Sequence, residues 1–376
     1  MKNKKIAHIQ LLPLLTGVQR VSLDELTRLN RNDFTPYMIC QQSGPMTDEC
    51  EKNNINCLYI PTLVREISPL KDFLAFWNLY RLCKKHKFDI VHTHSSKTGV
   101  IGRLAAKLAG VPMVVHTVHG YAFPAAKNKL EKNIFLAMEW LGTKCSDKVI
   151  CLHDADKKIA EEKLGAKASQ IMVLANGVNL SKFNPPTLLQ KQDIRSELGL
   201  PVNATVVGMV GRLWEQKNPK DLLTAAIDIL KTRSDVHFVF AGDGELRAEL
   251  EHRTNYHGVS SNIHFLGWRN DTESVLKAFD IFVLPSLWEG MPLAILEAQA
   301  TGLPCVVSNI QGNNHLVYNE KNGYLFELNN NEQLIHSILA LVDKSHRRDQ
   351  MGTFALNKIK QDNDIERRII ILSSHY

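Results

Sequence analysis

Two glutamates stand eight residues apart in the segment SLWEGMPLAILEAQATG, residues 286–302. Proline suits the first helical position, where its missing N–H is not needed, so we predict a helix that begins near Pro292. Glu289 then lies in the loop before this helix, and Glu297 lies inside it. The amides of the first turn and the helix dipole would bind an anion such as a phosphate. One carboxylate beside a sugar and another beside ribose hydroxyls is chemically sensible, but ordinary surface glutamates at a helix start also fit the spacing.

A basic pair follows the first strand that we predict in the second half of the chain. The segment GRLWEQKNP, residues 211–219, contains Arg212 and Lys217. Gly211 permits a tight turn, and the guanidinium fork and the ammonium group could together hold a diphosphate. Both charges would stabilise a departing nucleotide diphosphate, whose negative charge grows as its bond to a sugar breaks. Two solvated basic residues in a loop are the alternative.

A third loop, LLTGVQR at residues 14–20, follows the first predicted strand and opens a helix. Gly17 would let backbone amides approach a phosphate, although a plain turn is the simpler explanation of these residues. The chain contains neither a GxGxxG fingerprint nor the GK[ST] of a P-loop. Dinucleotide and ATP sites of those types are therefore unsupported.

Several histidines fall in predicted strands. His92 and His94 alternate along one strand and share a face, which is a spacing that metal ligands use. The sequence places no third ligand beside them, so we expect no bound metal. His119 ends its strand, next to Gly120, where its side chain could reach a cleft. We therefore select His119 as the contact to substrate hydroxyls.

Length and composition restrict the class of protein. The chain has 376 residues, 44% of them apolar, which predicts two domains because single cores stop growing at about 250–300 residues. The chain contains no run of 18 apolar residues, so no segment is predicted to span a membrane.

Residues 1–190 hold 26 basic and 16 acidic residues, a net charge of +10, and the remainder carries −4. The basic half fits an anionic lipid surface or a diphosphate substrate, although solvated lysines explain it as well. Seven cysteines without a CxxC pair fit a reducing cytoplasm.

Apolar runs and amphipathic segments alternate along both halves of the chain. In the first half, strands are predicted at 5–12, 36–40, 57–61, 89–94, 113–119, 148–152 and 171–177. In the second half they are predicted at 204–211, 236–244, 262–268, 281–286, 304–309 and 324–327. Helical patterns separate these runs. We therefore predict an α/β protein in which two Rossmann-like parallel sheets face a cleft that binds the ligand.

The sequence Asn184-Pro185-Pro186 interrupts this alternation, because helices and strands both accommodate two prolines poorly. We predict an N-terminal domain at 1–183 and a linker at 184–200. A C-terminal domain follows at 201–355. Residues 356–376 are predicted as a helix that is able to cross back to the first domain.

Five segments resemble the retaining glycosyltransferases of family 4, which have the GT-B fold of two Rossmann-like domains. They are THSSKTGVIGRLAAKLAGVPMVVHTVHG (93–120), ANGVN (175–179), VGRLWEQKN (210–218), AGDGELR (241–247) and PSLWEGMPLAILEAQATGLPCVVS (285–308). The resemblance covers about residues 6–342, and Glu289 and Glu297 match the E-x7-E motif of the family. The first segment is most similar to bacterial members that build O-antigen, capsule and exopolysaccharide on lipid carriers.

The resemblance implies that the N-terminal domain binds the acceptor and that the C-terminal domain binds the nucleotide sugar. It also implies a role for each of these residues. Arg212 and Lys217 match the residues that hold the donor diphosphate. Glu297 matches the residue that binds the ribose hydroxyls, and Glu289 matches the one that contacts the donor sugar. His119 matches the residue near the sugar ring at the point of transfer.

Backbone groups and a glycine loop complete the implied site. Met291, Pro292 and Leu293 would lend backbone groups to the sugar and the phosphates. Gly17 takes the place of a glycine-rich first loop, which in the family often has two adjacent glycines where this chain has one. The family needs no bound metal or other cofactor, and this chain has no DxD-type metal motif in a cleft-facing context.

The resemblance therefore implies a retaining glycosyltransferase of O-antigen assembly. We expect it to move a hexose or an N-acetylhexosamine, GalNAc or GlcNAc, from a UDP-sugar to a saccharide on polyprenyl diphosphate. No nucleic acid is expected as a partner. One alternative is a UDP-sugar 2-epimerase of the same architecture, which the E-x7-E motif disfavours. The other is a non-catalytic nucleotide-sugar-binding subunit, against which the intact Glu289, Arg212 and Lys217 argue.

The expected location is the cytoplasm, peripherally on the inner face of the bacterial inner membrane. Lys127, Lys129 and Lys132 precede the apolar run Ile134-Phe135-Leu136 and Trp140. A basic amphipathic segment of this kind would contact an anionic membrane surface. A helix that packs on its own domain is the alternative.

Overall fold

A computed structural model describes residues 3–66, 68–121, 123, 126 and 128–376. The chain forms two compact units: the first contains Met1–Asn176 and Ile365–Tyr376, and the second contains Gly177–Asp364. The first boundary lies earlier than the predicted one at residue 183. Val178 belongs to the second unit, where its N–H donates to the Asn363 carbonyl at 2.8 Å.

Within the described residues, the sheet of the first unit contains seven strands. They are Lys4–Ile9 (β1), Phe34–Cys40 (β2), Asn56–Tyr59 (β3), Ile90–Thr93 (β4), Met113–Val118 (β5), Lys148–Cys151 (β6) and Ile171–Val173 (β7). All pairs are parallel, in the order β3-β2-β1-β4-β5-β6-β7. All four residues of the central strand β4 are buried, as expected for a parallel strand covered on both faces.

Helices connect these strands. They are Gly17–Arg28 (α1), Pro45–Lys52 (α2), Pro69–His86 (α3), Ser96–Leu108 (α4), Lys129–Lys144 (α5) and Asp154–Glu162 (α6). α4 contacts both α3 and α5. Ala105 and Ala106 of α4 are fully buried in a core cluster with Ile9 of β1 and Val91 of β4. Small residues at these positions let the helix lie close to the sheet.

The second unit repeats this architecture with six strands. They are Thr205–Val210 (β8), Val236–Ala241 (β9), Ile263–Gly267 (β10), Ile281–Leu284 (β11), Cys305–Ser308 (β12) and Gly323–Phe326 (β13). The order is β10-β9-β8-β11-β12-β13, and every pair is parallel. The prediction of two Rossmann-like parallel sheets is confirmed. In such sheets, functional groups gather at the carboxyl ends of the strands where the strand order reverses. Here those strands are β8 and β11.

The helices of the second unit begin in the segment that was predicted as a linker. They are Leu188–Glu197 (α7), Pro219–Leu230 (α8), Arg247–Tyr256 (α9), Thr272–Lys277 (α10), Leu293–Ala300 (α11), Asn331–Val342 (α12) and Ser345–Asp362 (α13). One further helix, Ile365–Ser374 (α14), belongs to the first unit. Among the helices that the described residues form, none combines the length and apolar character needed to cross a bilayer.

Residues 184–200, predicted as a linker, are part of the second unit and contain α7. Thr187 and Gln190 cap this helix reciprocally: the hydroxyl accepts from the Gln190 N–H at 3.2 Å, and Gln190 Oε1 accepts from the Thr187 N–H at 2.9 Å. Arg195 is buried and donates to Asp280 Oδ2 at 2.6 Å. A buried ion pair therefore fixes α7, and hydrophobic periodicity does not reveal such an anchor.

The predicted boundary between residues 355 and 356 falls inside α13, which runs unbroken to Asp362. The chain enters the first unit only at Ile365. There Arg368 of α14 donates to Glu25 Oε1 of α1 at 2.7 Å and to the Leu174 carbonyl at 2.7 Å. These buried contacts attach α14 to the first unit.

Candidate active site

The loops after β8 and β11 are joined by backbone contacts in the second unit. The Leu287 N–H donates to the Gln216 carbonyl at 2.8 Å, and Gln216 Nε2 donates to the Trp288 carbonyl at 2.8 Å. These bonds bring Lys217 of one loop beside Glu289 of the other, with Nζ and Oε1 2.5 Å apart. The two side chains are 18% and 7% exposed. The sequence treated them as members of two separate motifs, and the structure makes them one ion pair.

A series of hydrogen-bonded side chains positions the Glu289 carboxylate. Ser286 Oγ donates to Glu289 Oε1 at 2.7 Å, and Ser308 Oγ donates to the Ser286 carbonyl at 2.5 Å. Asn313 Nδ2 in turn donates to Ser308 Oγ at 3.1 Å. All three supporting side chains are fully buried. Sequence reasoning missed them, although a serine at the carboxyl end of a buried apolar strand is a polar group that must find a partner.

Gly312, in the loop after β12, allows that loop to pack closely against the backbone of the Glu289 loop. Its φ angle is +97°, and a Cβ atom there would lie 2.4 Å from the Gly290 carbonyl oxygen and 2.8 Å from that of Glu289. Any side chain at position 312 would therefore clash with backbone atoms. The turn around Gly312 holds the Glu289 loop in place on the side of β12.

The helix after this loop, α11, begins one residue later than predicted. Pro292 has extended angles, φ −70° and ψ 122°, and occupies the cap position, so the first helical residue is Leu293. The chain turns into the helix there because the proline ring fixes φ but leaves ψ free to be extended. Met291 and Pro292 are buried and Leu293 is partly buried. The positive end of α11 directly follows the Glu289 loop, as an anion site requires.

Glu297 lies inside α11, as predicted, and Glu289 lies before it. The Glu297 side chain is buried, and its backbone carbonyl accepts from Thr301 Oγ1 at 2.8 Å. The two glutamates thus occupy different local structures. That arrangement is suited to contacts with two different parts of one ligand.

Arg212 follows β8 but makes its contacts on the side of β9. Its Nη2 lies 2.5 Å from Glu245 Oε1, and its guanidinium lies over the Trp214 ring with Cζ 4.7 Å from the centroid. The side chain is 41% exposed. The expectation that Arg212 and Lys217 converge on one diphosphate stays a prediction, because each has its own acidic partner here.

In the first unit, Gly17 is the first residue of α1. A Cβ atom at this position would have no atom within 4 Å, so packing within the protein does not require a glycine here. Open space at a helix N-terminus suits an anion, and the phosphate contact expected of Gly17 stays a prediction.

His119 lies just beyond the end of β5, and its Nε2 lies 3.1 Å from His94 Nδ1. Burial, reinforced by the charge of Arg368, lowers the pKa of His119 to about 3. The ring is therefore neutral at physiological pH. It is suited to hydrogen bonding with hydroxyl groups and not to supplying a positive charge.

The sequence paired His92 with His94, and the structure adds His8 to them. His8 is opposite His92 in the parallel register of β1 and β4. The centroids of the His92 and His94 rings are 4.2 Å apart, and those of His8 and His94 are 4.7 Å apart. Glu25 of α1 completes a buried group whose ligand atoms lie within 4.8 Å of one another. The register of β1 and β4, which the sequence does not give, brings His8 beside His92.

Both halves of the chain match known families. Residues 15–182 match the family described as Glycosyltransferase Family 4, and residues 190–358 match the one described as Glycosyl transferases group 1. The UDP-Gal:alpha-D-GlcNAc-diphosphoundecaprenol alpha-1,3-galactosyltransferase of Escherichia coli is 48% identical over 371 residues. That similarity covers 97% of this chain and 94% of the relative.

Solved structures share the fold. HepE of Anabaena, crystallised in complex with UDP and glucose, has a TM-score of 0.85 at 19% identity, and 99% of each chain is covered. WaaG, a glycosyltransferase involved in lipopolysaccharide biosynthesis, has a TM-score of 0.76 at 15% identity, with 97% of this chain and 99% of WaaG covered. The predicted GT-B fold is confirmed. Given the two family matches and a relative that is 48% identical over nearly its whole length, the chain belongs to the family 4 type of GT-B glycosyltransferases.

Proposed function

We propose that the protein transfers galactose from UDP-galactose to a GlcNAc residue on a polyprenyl diphosphate, in the assembly of a bacterial surface polysaccharide such as O-antigen. The observation that carries this proposal is the 48% identity, over 97% of the chain, to an enzyme named for that donor and that acceptor. The Lys217–Glu289 pair supports it, because a sugar nucleotide needs a cation for its diphosphate and a carboxylate for its sugar hydroxyls.

The donor in this proposal differs from the GalNAc or GlcNAc that the sequence favoured. The relative is named for UDP-galactose, a simple hexose donor. Its N-acetylhexosamine, GlcNAc, is part of the acceptor. An α-linked galactose made from UDP-galactose, itself an α-glycoside, also means that the configuration at the anomeric carbon is retained.

The proposed reaction is a front-side displacement without an enzyme-bound intermediate. The bond between the anomeric carbon and the diphosphate oxygen breaks, and the acceptor hydroxyl oxygen bonds to the same face of that carbon. The hydroxyl proton passes to the departing diphosphate oxygen, and UDP leaves. Lys217, Arg212 and the N-terminus of α11 stabilise the charge that develops on the diphosphate.

Glu289 has two tasks in this proposal. Its contact at 2.5 Å holds the Lys217 ammonium in place before the donor binds. Among the residues that the structure describes, Lys217 and Ser286 both contact Oε1. Oε2 of Glu289 therefore accepts from a hydroxyl of the donor sugar, while Glu297 accepts from the ribose. Met291, Pro292 and Leu293 supply backbone groups beside them, and the neutral His119 contacts the transferred sugar.

We also propose that the reaction needs no bound metal, because protein cations and a helix terminus supply the positive charge. Turnover in a chelating buffer should match turnover in Mg²⁺. Loss of activity with chelator, restored by one divalent ion, would refute this part of the proposal.

The acceptor is a membrane lipid, so we place the protein peripherally on the cytoplasmic face of the inner membrane. On α5, Leu130 is 72% exposed, and Ile134 and Trp140 are also exposed. Exposed Lys129 and Lys132 lie on the same helix. Lys127, expected to contribute, lies outside the described residues. This mixture of apolar and basic side chains suits an anionic bilayer surface.

A second helix has the same character. On α3, Leu70, Phe73 and Trp77 are exposed at helical spacing, and the exposed Arg81 and Lys84 continue that stripe. Arg81 Cζ lies 5.2 Å from the Trp77 ring centroid. Because α4 packs against both α3 and α5, the two helices lie on the same face of the first sheet.

The decisive experiment incubates the enzyme with GlcNAc-diphospholipid and, in parallel, UDP-galactose, UDP-glucose, UDP-GalNAc or UDP-GlcNAc. We expect product with UDP-galactose, and a small anomeric coupling constant in its proton NMR spectrum, as for an α-linkage. A β-linked product would refute retention, and a preference for an N-acetylhexosamine donor would refute the choice of galactose. Conversion of the UDP-sugar without any acceptor would favour the 2-epimerase instead.

A further inference from the structure

Four histidines and a tyrosine form a continuous hydrogen-bonded chain in the first unit, here called the imidazole chain. His119 Nε2 lies 3.1 Å from His94 Nδ1, and His94 Nε2 lies 3.0 Å from His8 Nδ1. His8 Nε2 lies 3.5 Å from the Tyr376 hydroxyl, which is 2.6 Å from His92 Nδ1. The imidazole chain therefore connects Tyr376, which follows α14, to His119, the residue proposed to contact the sugar.

A metal site is the first alternative for such a cluster. Three of the histidines and Glu25 each offer one ligand atom, and these atoms lie within 4.8 Å of one another. Arg368 opposes a cation, because its Nη2 and Nε donate to Glu25 Oε1 at 2.7 and 3.1 Å. The one carboxylate already neutralises a buried cation, so a divalent ion would add uncompensated charge in a buried place. Hydrogen bonds between the rings therefore account for the cluster better.

The rings of the imidazole chain are neutral. Burial lowers the pKa of His8 to about 3 and holds the pKa values of His92 and His94 well below their usual range. His119 is neutral for the same reason. A neutral imidazole carries one N–H, so a ring that accepts at one nitrogen donates at the other. The tautomer of each ring therefore determines the tautomer of the next.

The distances give this chain a direction. The Tyr376 hydroxyl has one proton and two imidazole neighbours, and its oxygen lies 2.6 Å from His92 Nδ1 but 3.5 Å from His8 Nε2, so the proton points to the nearer nitrogen. Tyr376 therefore donates to His92 Nδ1, and His92 Nε2 donates to Thr117 Oγ1 at 2.8 Å. With its proton used, the tyrosine oxygen accepts from His8 Nε2. His8 Nδ1 must then accept from His94 Nε2.

We propose that the Tyr376 hydroxyl, acting through His8 and His94, selects the tautomer of His119 that is protonated at Nε2 and unprotonated at Nδ1. The last step is the bond in which His119 Nε2 donates to His94 Nδ1. Nδ1 of His119 is then a hydrogen-bond acceptor. This inference rests on the proposed function, in which a hydroxyl of the transferred sugar donates to His119. Tyr376, His8 and His94 are positioning residues.

Protein labelled with ¹⁵N in its histidines tests the direction of the chain, because long-range proton–nitrogen spectra distinguish the two tautomers. In the wild type we expect His119, His94 and His8 as Nε2–H tautomers, and His92 likewise. A wild-type spectrum with His119 protonated at Nδ1 would overturn the proposal, whatever the variants do. Titration with Zn²⁺ should leave these four signals in place, and a stoichiometric shift of His8, His92 and His94 would instead establish a metal site.

The variant Tyr376→Phe removes the hydroxyl and keeps the ring that packs 6.0 Å from Phe34, centroid to centroid. We expect mixed tautomers at His8, His94 and His119 in this variant. We also expect kcat to fall about three- to tenfold, the effect of one lost hydrogen bond, with little change in KM for the UDP-sugar. The matched control is Tyr37→Phe, which removes a hydroxyl from a ring packed on Phe88 in the same unit.

The outcomes separate the two proposals. If Tyr376→Phe leaves the tautomer of His119 unchanged, the selection by Tyr376 is wrong and the transferase assignment is untouched. If the tautomers change as expected but His119→Ala keeps full activity, Tyr376 does select the tautomer of His119, and the proposed contact of His119 with the sugar is wrong.

Discussion

Lys217 Nζ and Glu289 Oε1 lie 2.5 Å apart although the residues are 72 positions apart in the sequence. They meet because β8 and β11 are neighbours in the sheet and their carboxyl-end loops share two hydrogen bonds. Little water reaches this ion pair, so its charges act more strongly on a ligand than charges on the open surface would.

Replacing Lys217 with alanine should lower kcat about 10²–10³-fold, because a developing charge on the diphosphate loses a preorganised cation. Steady-state kinetics with UDP-galactose measures this effect. Lys220→Ala is the matched control, since Lys220 pairs with Glu249 at 2.6 Å on the exposed side of α8. We expect the Lys220→Ala variant to have the wild-type kcat. A near-normal kcat of Lys217→Ala would show that Lys217 does not stabilise the departing diphosphate.

Asp280 should make stability depend on pH. Burial alone would raise its pKa, but the charges of Lys191 and Arg195 and the Val206 N–H together hold it below its usual value of 3.8. Its stabilising contribution is therefore complete above pH 3.8 and is lost as the pH falls through the lower pKa of the folded state. Asp280→Asn should cost about 3–5 kcal/mol at pH 7, since two cations lose their partner.

Urea unfolding of the wild type and Asp280→Asn across a pH series checks this prediction. The difference between the two should shrink once the pH falls below 3.8. A difference that stays constant down to pH 3 would mean that the charge of Asp280 is not what stabilises α7. Asp228→Asn, which removes a carboxylate from the exposed pair with Lys231, should have almost no effect at any pH.

Arg368 should be necessary for α14 to stay attached to the first unit. Arg368→Ala leaves the buried Glu25 carboxylate without its ion-pair partner and should cost about 3–5 kcal/mol. Hydrogen exchange should become faster across residues 365–374 before it does elsewhere. Ile370→Ala, at a position of the same helix that is 70% exposed, should leave exchange unchanged. Unaltered protection of α14 in Arg368→Ala would show that other contacts hold the helix.

Charge reversal on α5 should weaken binding to anionic vesicles. Lys129→Glu combined with Lys132→Glu should reduce binding to phosphatidylglycerol vesicles roughly 30-fold or more, at about 1 kcal/mol for each lysine removed. Co-sedimentation at low and high salt measures it, and salt should weaken wild-type binding. The control reverses Lys158 and Lys231, which are exposed elsewhere. Equal losses in both double variants would mean that net charge, and not α5, governs binding.

The strands were predictable because parallel strands covered on both faces are continuous apolar runs, as in β8 and β11. Helices with few apolar residues were not. In α2 the buried apolar residues are Met46 and Cys50, and in the part of α13 before the predicted helix at 356–376 they are Met351 and Ala355. These sparse patterns resemble polar loops in the sequence, and packing against neighbouring elements stabilises them as helices.

The sequence predicted which residues belong to the site, but it did not predict which of them contact one another. Glu289, Lys217 and Glu297 could be selected from residue type and from their position after predicted strands. Their pairing could not be predicted, because it depends on which strands are neighbours. His8 and His92 show the same limit: the register of β1 and β4 brings them together. Ser286 and Asn313 depend on loop geometry that no periodic pattern encodes.

The attachment of α14 to the first unit has a consequence for synthesis on the ribosome. Glu25 is made early, and its partner Arg368 emerges only after the whole second unit has been translated. During that interval the first unit lacks the helix that neutralises a buried carboxylate and the tyrosine that meets His92. The first unit therefore gains its full set of contacts only after residues 365–376 have been made, although most of its residues are made first.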